Sequence, residues 1–167
     1  MPATFTLIAS TTIPSATSAY TFNSIPSTYT DLKLVWSVMA TASADASVTF
    51  NGVTSGYDYR SIFYVSQTSG SPASYGGNVT SNAVVQYFNT NVYCAGGMYI
   101  TNYASATQKA IWTDNVRPNL TNNSAASIVP MAHRWNNTAA ITSLTFTMNG
   151  PNIVENSQFS LYGIKNS

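Results

Sequence analysis

Charge is the scarcest commodity in this sequence. Asp, Glu, Lys and Arg make up 7% of its 167 residues, against about 25% in an ordinary soluble domain. One Glu and three Lys are too few to coat surface helices, which argues against a helical bundle or coiled coil. The formal net charge is +1 and no basic run occurs, so the electrostatic footprint of a nucleic-acid binder is missing. Long apolar runs are missing too, so no membrane-spanning segment is expected. Met1 to Ser10 lack the basic start and continuous apolar stretch of a secretory leader. The single cysteine, Cys94, has no partner within the chain for a disulfide, and one Cys with one His, His133, excludes a zinc site of the Cys/His type. Cys94 is expected to be a small buried apolar residue, at home in a reducing cytoplasm.

Hydroxyls and amides take the place of charges. Ser, Thr and Asn account for 61 of the 167 residues, and aromatic residues for 13%. So much aromatic content argues against disorder, and Thr, Val, Tyr, Phe and Trp are strand formers. The clearest strand is 31–39, with Leu32, Leu34, Trp36 and Val38 on one face. Further strands are expected at 4–9, 19–22, 46–50, 57–65, 79–88, 95–101, 108–114, 127–135, 141–148 and 158–164. Asn51-Gly52 predicts a tight hairpin turn. Gly96-Gly97 predicts a bulge or a close backbone approach, and Pro130 an edge or bulge. Residues 67–78 and 115–123 read as polar loops. About ten short strands, no helix and no fixed repeat predict an all-β chain, a single domain over residues 1–167. The expected architecture is an antiparallel β-sandwich, jelly-roll-like, with an immunoglobulin-like sandwich as second choice.

Catalytic constellations are hard to find. The acids Asp31, Asp45, Asp58, Asp114 and Glu155 form no close pair of the kind a glycosidase uses. His133 is the lone ordinary general base, and no G-x-S-x-G or phosphate-binding glycine pattern occurs. Asp58 near Asn51 is the best local guess for a calcium ligand pair. The sequons at Asn78, Asn119, Asn122 and Asn136 read as chance products of a composition rich in Asn, Ser and Thr. The expectation is a protein that is not an enzyme and holds no cofactor or metal. Tyr, by contrast, is concentrated in the middle third, and Tyr suits protein interfaces and sugar stacking alike. Tyr57, Tyr59, Tyr75, Tyr99 and Trp112 are the candidate subunit or partner interface, and 1–8 a candidate arm reaching a neighbour.

Four stretches carry a resemblance. Ile25-Pro26-Ser27-Thr28-Tyr29-Thr30-Asp31-Leu32-Lys33-Leu34-Val35 resembles the "IPxTYTDLxLV" stretch of a group of small tailed-phage virion proteins. Phe50-Asn51-Gly52 followed by Tyr57-Asp58-Tyr59 resembles their "FNGD…NYSY" segment. Trp135-Asn136-Asn137-Thr138-Ala139-Ala140-Ile141-Thr142-Ser143-Leu144 resembles their "WNNTAAITSI", and Leu161-Tyr162-Gly163-Ile164-Lys165 their closing "LYGIK". The stretches keep the expected order, while residues 66–123 match only in outline. The resemblance implies a phage virion component with no catalytic residues to transfer, labelled in that group as tail, capsid-associated or structural. The expected function is capsid decoration: a cement protein, homotrimeric, made in the host cytoplasm and bound to the major capsid protein on the capsid exterior. The alternative is a tail or fibre module binding host surface glycans, and a capsule depolymerase ranks third.

Overall fold

The computed structural model describes residues 4–65, 73–77, 81–118 and 127–165; the side chains of 63–65, 73–75, 77, 86, 87 and 127 are outside that description. Every regular element among them is a strand: β1 (Phe5–Thr12), β2 (Ala19–Phe22), β3 (Asp31–Val38), β4 (Ala44–Phe50), β5 (Tyr57–Val65), β6 (Ala73–Gly77), β7 (Ala83–Phe88), β8 (Cys94–Ile100), β9 (Lys109–Arg117), β10 (Ser127–Ile128), β11 (Met131–Trp135), β12 (Leu144–Met148) and β13 (Gln158–Ile164). All their pairings are antiparallel, in two sheets.

The smaller sheet has the order β2-β12-β4-β7, and the larger begins β1-β13-β3-β8. Those eight strands interleave as two Greek keys, the jelly-roll arrangement. Two excursions enlarge it. The chain between β4 and β7 contributes β5 and β6, and the chain between β8 and β12 contributes β9, β10 and β11. The excursions pair with each other and continue the larger sheet beyond β8, through β9, then β10 and β11, then β5, to β6.

Alternation explains which faces meet. In β3, Leu32, Leu34, Trp36 and Val38 are buried, as expected from their spacing. In β12, Leu144, Phe146 and Met148 are buried from the other side. Phe146 is the hub, with ring centroids 5.8 Å from Trp36, 5.0 Å from Phe159 and 5.7 Å from Phe88. One connected core runs between the sheets and includes Tyr57 and Trp135 from the excursions.

Five local expectations are revised. Asn51-Gly52 does form a tight turn, with both φ angles positive and Val53 N donating to Phe50 O. It is not a hairpin between adjacent strands, because β4 belongs to the smaller sheet and β5 to the larger. Residues 73–77, expected in a loop, pair with β5 as β6, and the strand expected at 79–88 starts at Ala83. The strand expected from 141 starts at Leu144, because the Asn51 side chain engages the backbone N–H groups of Thr142 and Ser143. Pro130, expected to mark an edge or a bulge, instead separates β10 from β11 inside the sheet, where both lie between β9 and β5.

Candidate functional site

The sheet extension has two faces of different character. In β9 and β11 every second residue is buried, so Ile111, Thr113, Asn115, Met131, His133 and Trp135 point inward. Ala110, Trp112, Asp114, Val116, Ala132 and Arg134 are exposed on the outer side, joined by Arg60 and Ile62 from β5. Register aligns them. Tyr99 faces Trp112, Trp112 faces Ala132, Ala132 faces Arg60, and Arg60 faces Gly76. Small Ala132 between two large side chains leaves a groove of about 530 Å³, lined by Trp112, Arg60, Ile62, Pro130 and Gly76 among others. Arg60 lies across Gly76, where a Cβ would collide with it, and its Nη1 donates to Tyr59 O at 2.8 Å. Beside the groove, Arg134 Nε donates to Asp58 Oδ2 at 2.8 Å, and the two form an ion pair.

This outer face also gathers exposed apolar surface. Among the described residues, eight large hydrophobic side chains are exposed: Phe5, Leu7, Val35, Ile62, Tyr93, Trp112, Val116 and Ile128. All but Tyr93 lie on the outer side of the larger sheet, by the pairing of their strands. Ile62, Ile128, Trp112 and Val116 form its densest part, at 60%, 59%, 48% and 44% exposure.

The inner face of the extension carries several buried polar groups, among them Ser61, Thr113, Asn115 and His133. His133 is buried, with Nε2 3.0 Å from Thr113 Oγ1 and no partner for Nδ1. Burial lowers its pKa from 6.5 to about 4. Lys109 is also buried; its ammonium donates to Ser105 O at 2.7 Å and to Thr107 O, and burial lowers its pKa. Cys94 is buried and free, and burial raises its thiol pKa.

The five expected interface residues separate. Tyr57 is a correction: it is 1% exposed, stacks on Trp135 at 6.0 Å, accepts from Phe50 N at 2.9 Å and donates to Val53 O at 3.0 Å. A phenol so enclosed, with its pKa pushed up to about 12 by burial, is core and not interface. Tyr59 is half-buried and alternates to the inner side, with its ring centroid 6.2 Å from that of His133. Tyr75 sits on β6 opposite Ser61, and its side chain lies outside the description. Tyr99 is half-buried on the outer side and donates to Asp31 Oδ2 at 2.6 Å. That bond, more than burial, raises its pKa to about 12. Of the four whose side chains are described, Trp112 alone is a freely presented aromatic on the outer face. Ile62, Val116, Ile128, Arg60 and Ala132 were missed. Strict alternation from Trp112 would have found Val116, but cross-strand register, which sequence does not show, was needed for the rest.

Other expectations resolve locally. The calcium pair fails: Asp58 is engaged by Arg134, and Asn51 spends its amide on the Ala140, Thr142 and Ser143 backbone. No group of three or more His, Cys, Asp or Glu is placed to hold a metal ion among the described residues. Residues 5–8 of the expected arm belong to β1 and pair with β13, while 1–3 lie outside the description. Of the sequons, Asn78, Asn119 and Asn122 also lie outside it; Asn136 is exposed, and its Oδ1 accepts from Gln108 Nε2.

The four family-like stretches meet at the end of the sandwich from which the excursions leave. Asp31 accepts from Tyr99 Oη and from Asn102 N, the latter at 2.7 Å. Tyr103 Oη donates to Pro26 O, and Ile141 N donates to Tyr103 O at 3.0 Å. The Tyr29 ring covers Gly163, leaving no room for a Cβ. Asn51 clasps 140–143 through both ends of its amide. These stretches therefore tie loops to strand ends, and the groove is lined by other residues. Comparison with protein-family models found no match, and comparison with curated protein sequences found none.

Proposed function

We propose that this chain is a structural protein of a tailed-bacteriophage virion, a capsid decoration protein that packs against the outer surface of the major capsid lattice and braces the head. The observation that carries this reading is the concentration of exposed apolar side chains on one sheet face. Phe5, Leu7 and Val35 lie there with Ile62, Ile128, Trp112 and Val116, in a chain with few charges. A contiguous apolar patch on an otherwise polar surface marks a surface meant to be covered. Exposed aliphatic residues around a Trp and an Arg have the composition of a protein–protein anchor. The resemblance of four stretches to small phage virion proteins supports the same reading. Lattice multiplicity converts modest single contacts into firm attachment.

The test is the copy number of the chain in purified virions, measured against the major capsid protein by quantitative mass spectrometry. A ratio near one, or a simple fraction of it, is expected; a few copies per hundred would move the protein to the tail. Because the face is dominated by apolar groups, attachment to heads should persist in ~1 M salt, where the Debye length is ~3 Å. Release by moderate salt alone would count against the docking reading. The exposed Trp112 beside Arg60 favours one second reading, a tail module stacking host glycans on the indole. Under it, simple sugars at millimolar concentration should shift Trp fluorescence, and Trp112→Ala should abolish the shift.

A further inference from the structure

We infer that the occupant of the extension's outer face is a second copy of this chain, related by a two-fold axis running close to the direction of β11 over Ala132. The inference rests on the reading of that sheet face as a protein interface and divides it: the extension's part takes a second copy, and the margin with Phe5 and Leu7 is left to the capsid.

Register is the main argument. Trp112 and Arg60 lie in one row, each one strand away from Ala132 on opposite sides. A two-fold axis along the middle strand therefore sets each copy's Trp112 over the other copy's Arg60, twice, with the two Ala132 residues facing at the axis. Ala132 is small enough to let the sheets approach until each indole meets the guanidinium opposite it. The Arg60 side chain lies across Gly76, which keeps its guanidinium on the open face, where an aromatic ring can stack on it.

Charge complementarity is the second argument. Arg134 is matched within the chain by Asp58, while Arg60 and Asp114 have no ion-pair partner among the described residues. Asp114 is two residues along β9 from Trp112 on the same face, ~7 Å away. The axis that stacks Trp112 on the partner's Arg60 thus brings Asp114 within reach of that same guanidinium. Such an isologous contact makes each residue serve on both sides. Size is the third argument. With strands ~4.8 Å apart and ~3.4 Å per residue, the extension offers ~450 Å² in projection and the whole outer face ~800 Å². The extension alone, at roughly half of the ~800 Å² per partner of a standard stable interface, has the size of a weak, concentration-dependent contact. Phe5 and Leu7, at the far margin, fall outside the two-fold contact and stay open for the capsid.

Sedimentation velocity on the purified full chain, from about 1 to about 100 µM, tests this. The wild type is expected to be a dimer, and Trp112→Ala to weaken it at least tenfold. Arg60→Asp alone and Asp114→Arg alone should each be monomeric, since each sets like charges face to face. An equimolar mixture of the two should return a dimer containing one of each, read by native mass spectrometry. All three positions are exposed, so folding, checked by circular dichroism, should be unchanged. A monomeric or trimeric wild type, or a dimer indifferent to these changes, overturns the two-fold pairing. In that case head binding separates the two ideas. If Trp112→Ala then loses attachment to phage heads, the face remains an interface, with the capsid as occupant. If attachment is unchanged, the docking reading of the face fails as well.

Discussion

His133 shows how one buried side chain sets a response of the whole protein. Its folded pKa of about 4 lies below the unfolded value of 6.5, so between those values the unfolded chain binds more protons than the folded one. Stability is therefore intact above about pH 6.5 and falls as pH drops toward 4, by up to about 3 kcal/mol. Urea unfolding at pH 7 and pH 4.5 should show this loss, and His133→Gln should remove most of it; an equal loss in the variant would refute the assignment. Asn51 has a different cost. It holds a positive φ of 53° and engages three backbone positions of the 140–143 segment. Asn51→Ala should lose about 3 kcal/mol, roughly 10 °C in Tm, while Asn51→Asp, which keeps the acceptor and tolerates the backbone, should lose clearly less. Thermal unfolding of the pair decides it. Residue fates were the least legible part of the sequence. Tyr57 and Trp112 are both large aromatics on predicted strands, yet one is core and the other exposed. The difference lies in which sheet face each strand turns inward, a fact of pairing and not of composition.

At the scale of the element, β13 is anchored by a missing side chain. Gly163 lies beneath the Tyr29 ring, so Gly163→Ala must displace that ring or the strand. A loss of about 2 kcal/mol is expected. In a Tyr29→Ala background the same change should cost much less, so a double-mutant cycle should show strong coupling; additive losses would mean the contact does not bind the strand. Strand existence was largely legible, because alternation is a local property: the buried residues of β3, β12 and β13 follow directly from period two. What failed was pairing. The Asn51-Gly52 turn was recognised by its dipeptide, but only the tertiary fold decides whether such a turn joins neighbouring strands or passes the chain from one sheet to the other. β6 was missed because its Gly and Ser content mimics a loop, while β5 supplies the hydrogen-bonding edge that makes it a strand.

At the scale of the molecule, a jelly-roll frame and a sheet extension share one core but not one degree of support. β3 and β13 are flanked by strands on both sides and covered by the smaller sheet, whereas β6 ends the extension as an edge. Amide exchange read by mass spectrometry should therefore be slowest in β3, β8 and β13 and fastest in β6, with β5 between them. Uniform protection across the larger sheet would mean the extension is as firmly held as the frame. The sandwich class was legible from strand number and turn spacing. The extension was not, because it arises from two excursions, far apart in sequence, that find each other only in space.

The alternation that separates the two sides of β5, β9 and β11 has an evolutionary consequence. Ser61, Ile111, Thr113 and His133 answer to the interior, while Arg60, Ile62, Trp112, Asp114 and Ala132 answer only to whatever lies outside. Selection can rewrite the second series one letter at a time while the first stays constant. Lineages descended from such a chain should therefore diverge in what they attach to long before they diverge in shape.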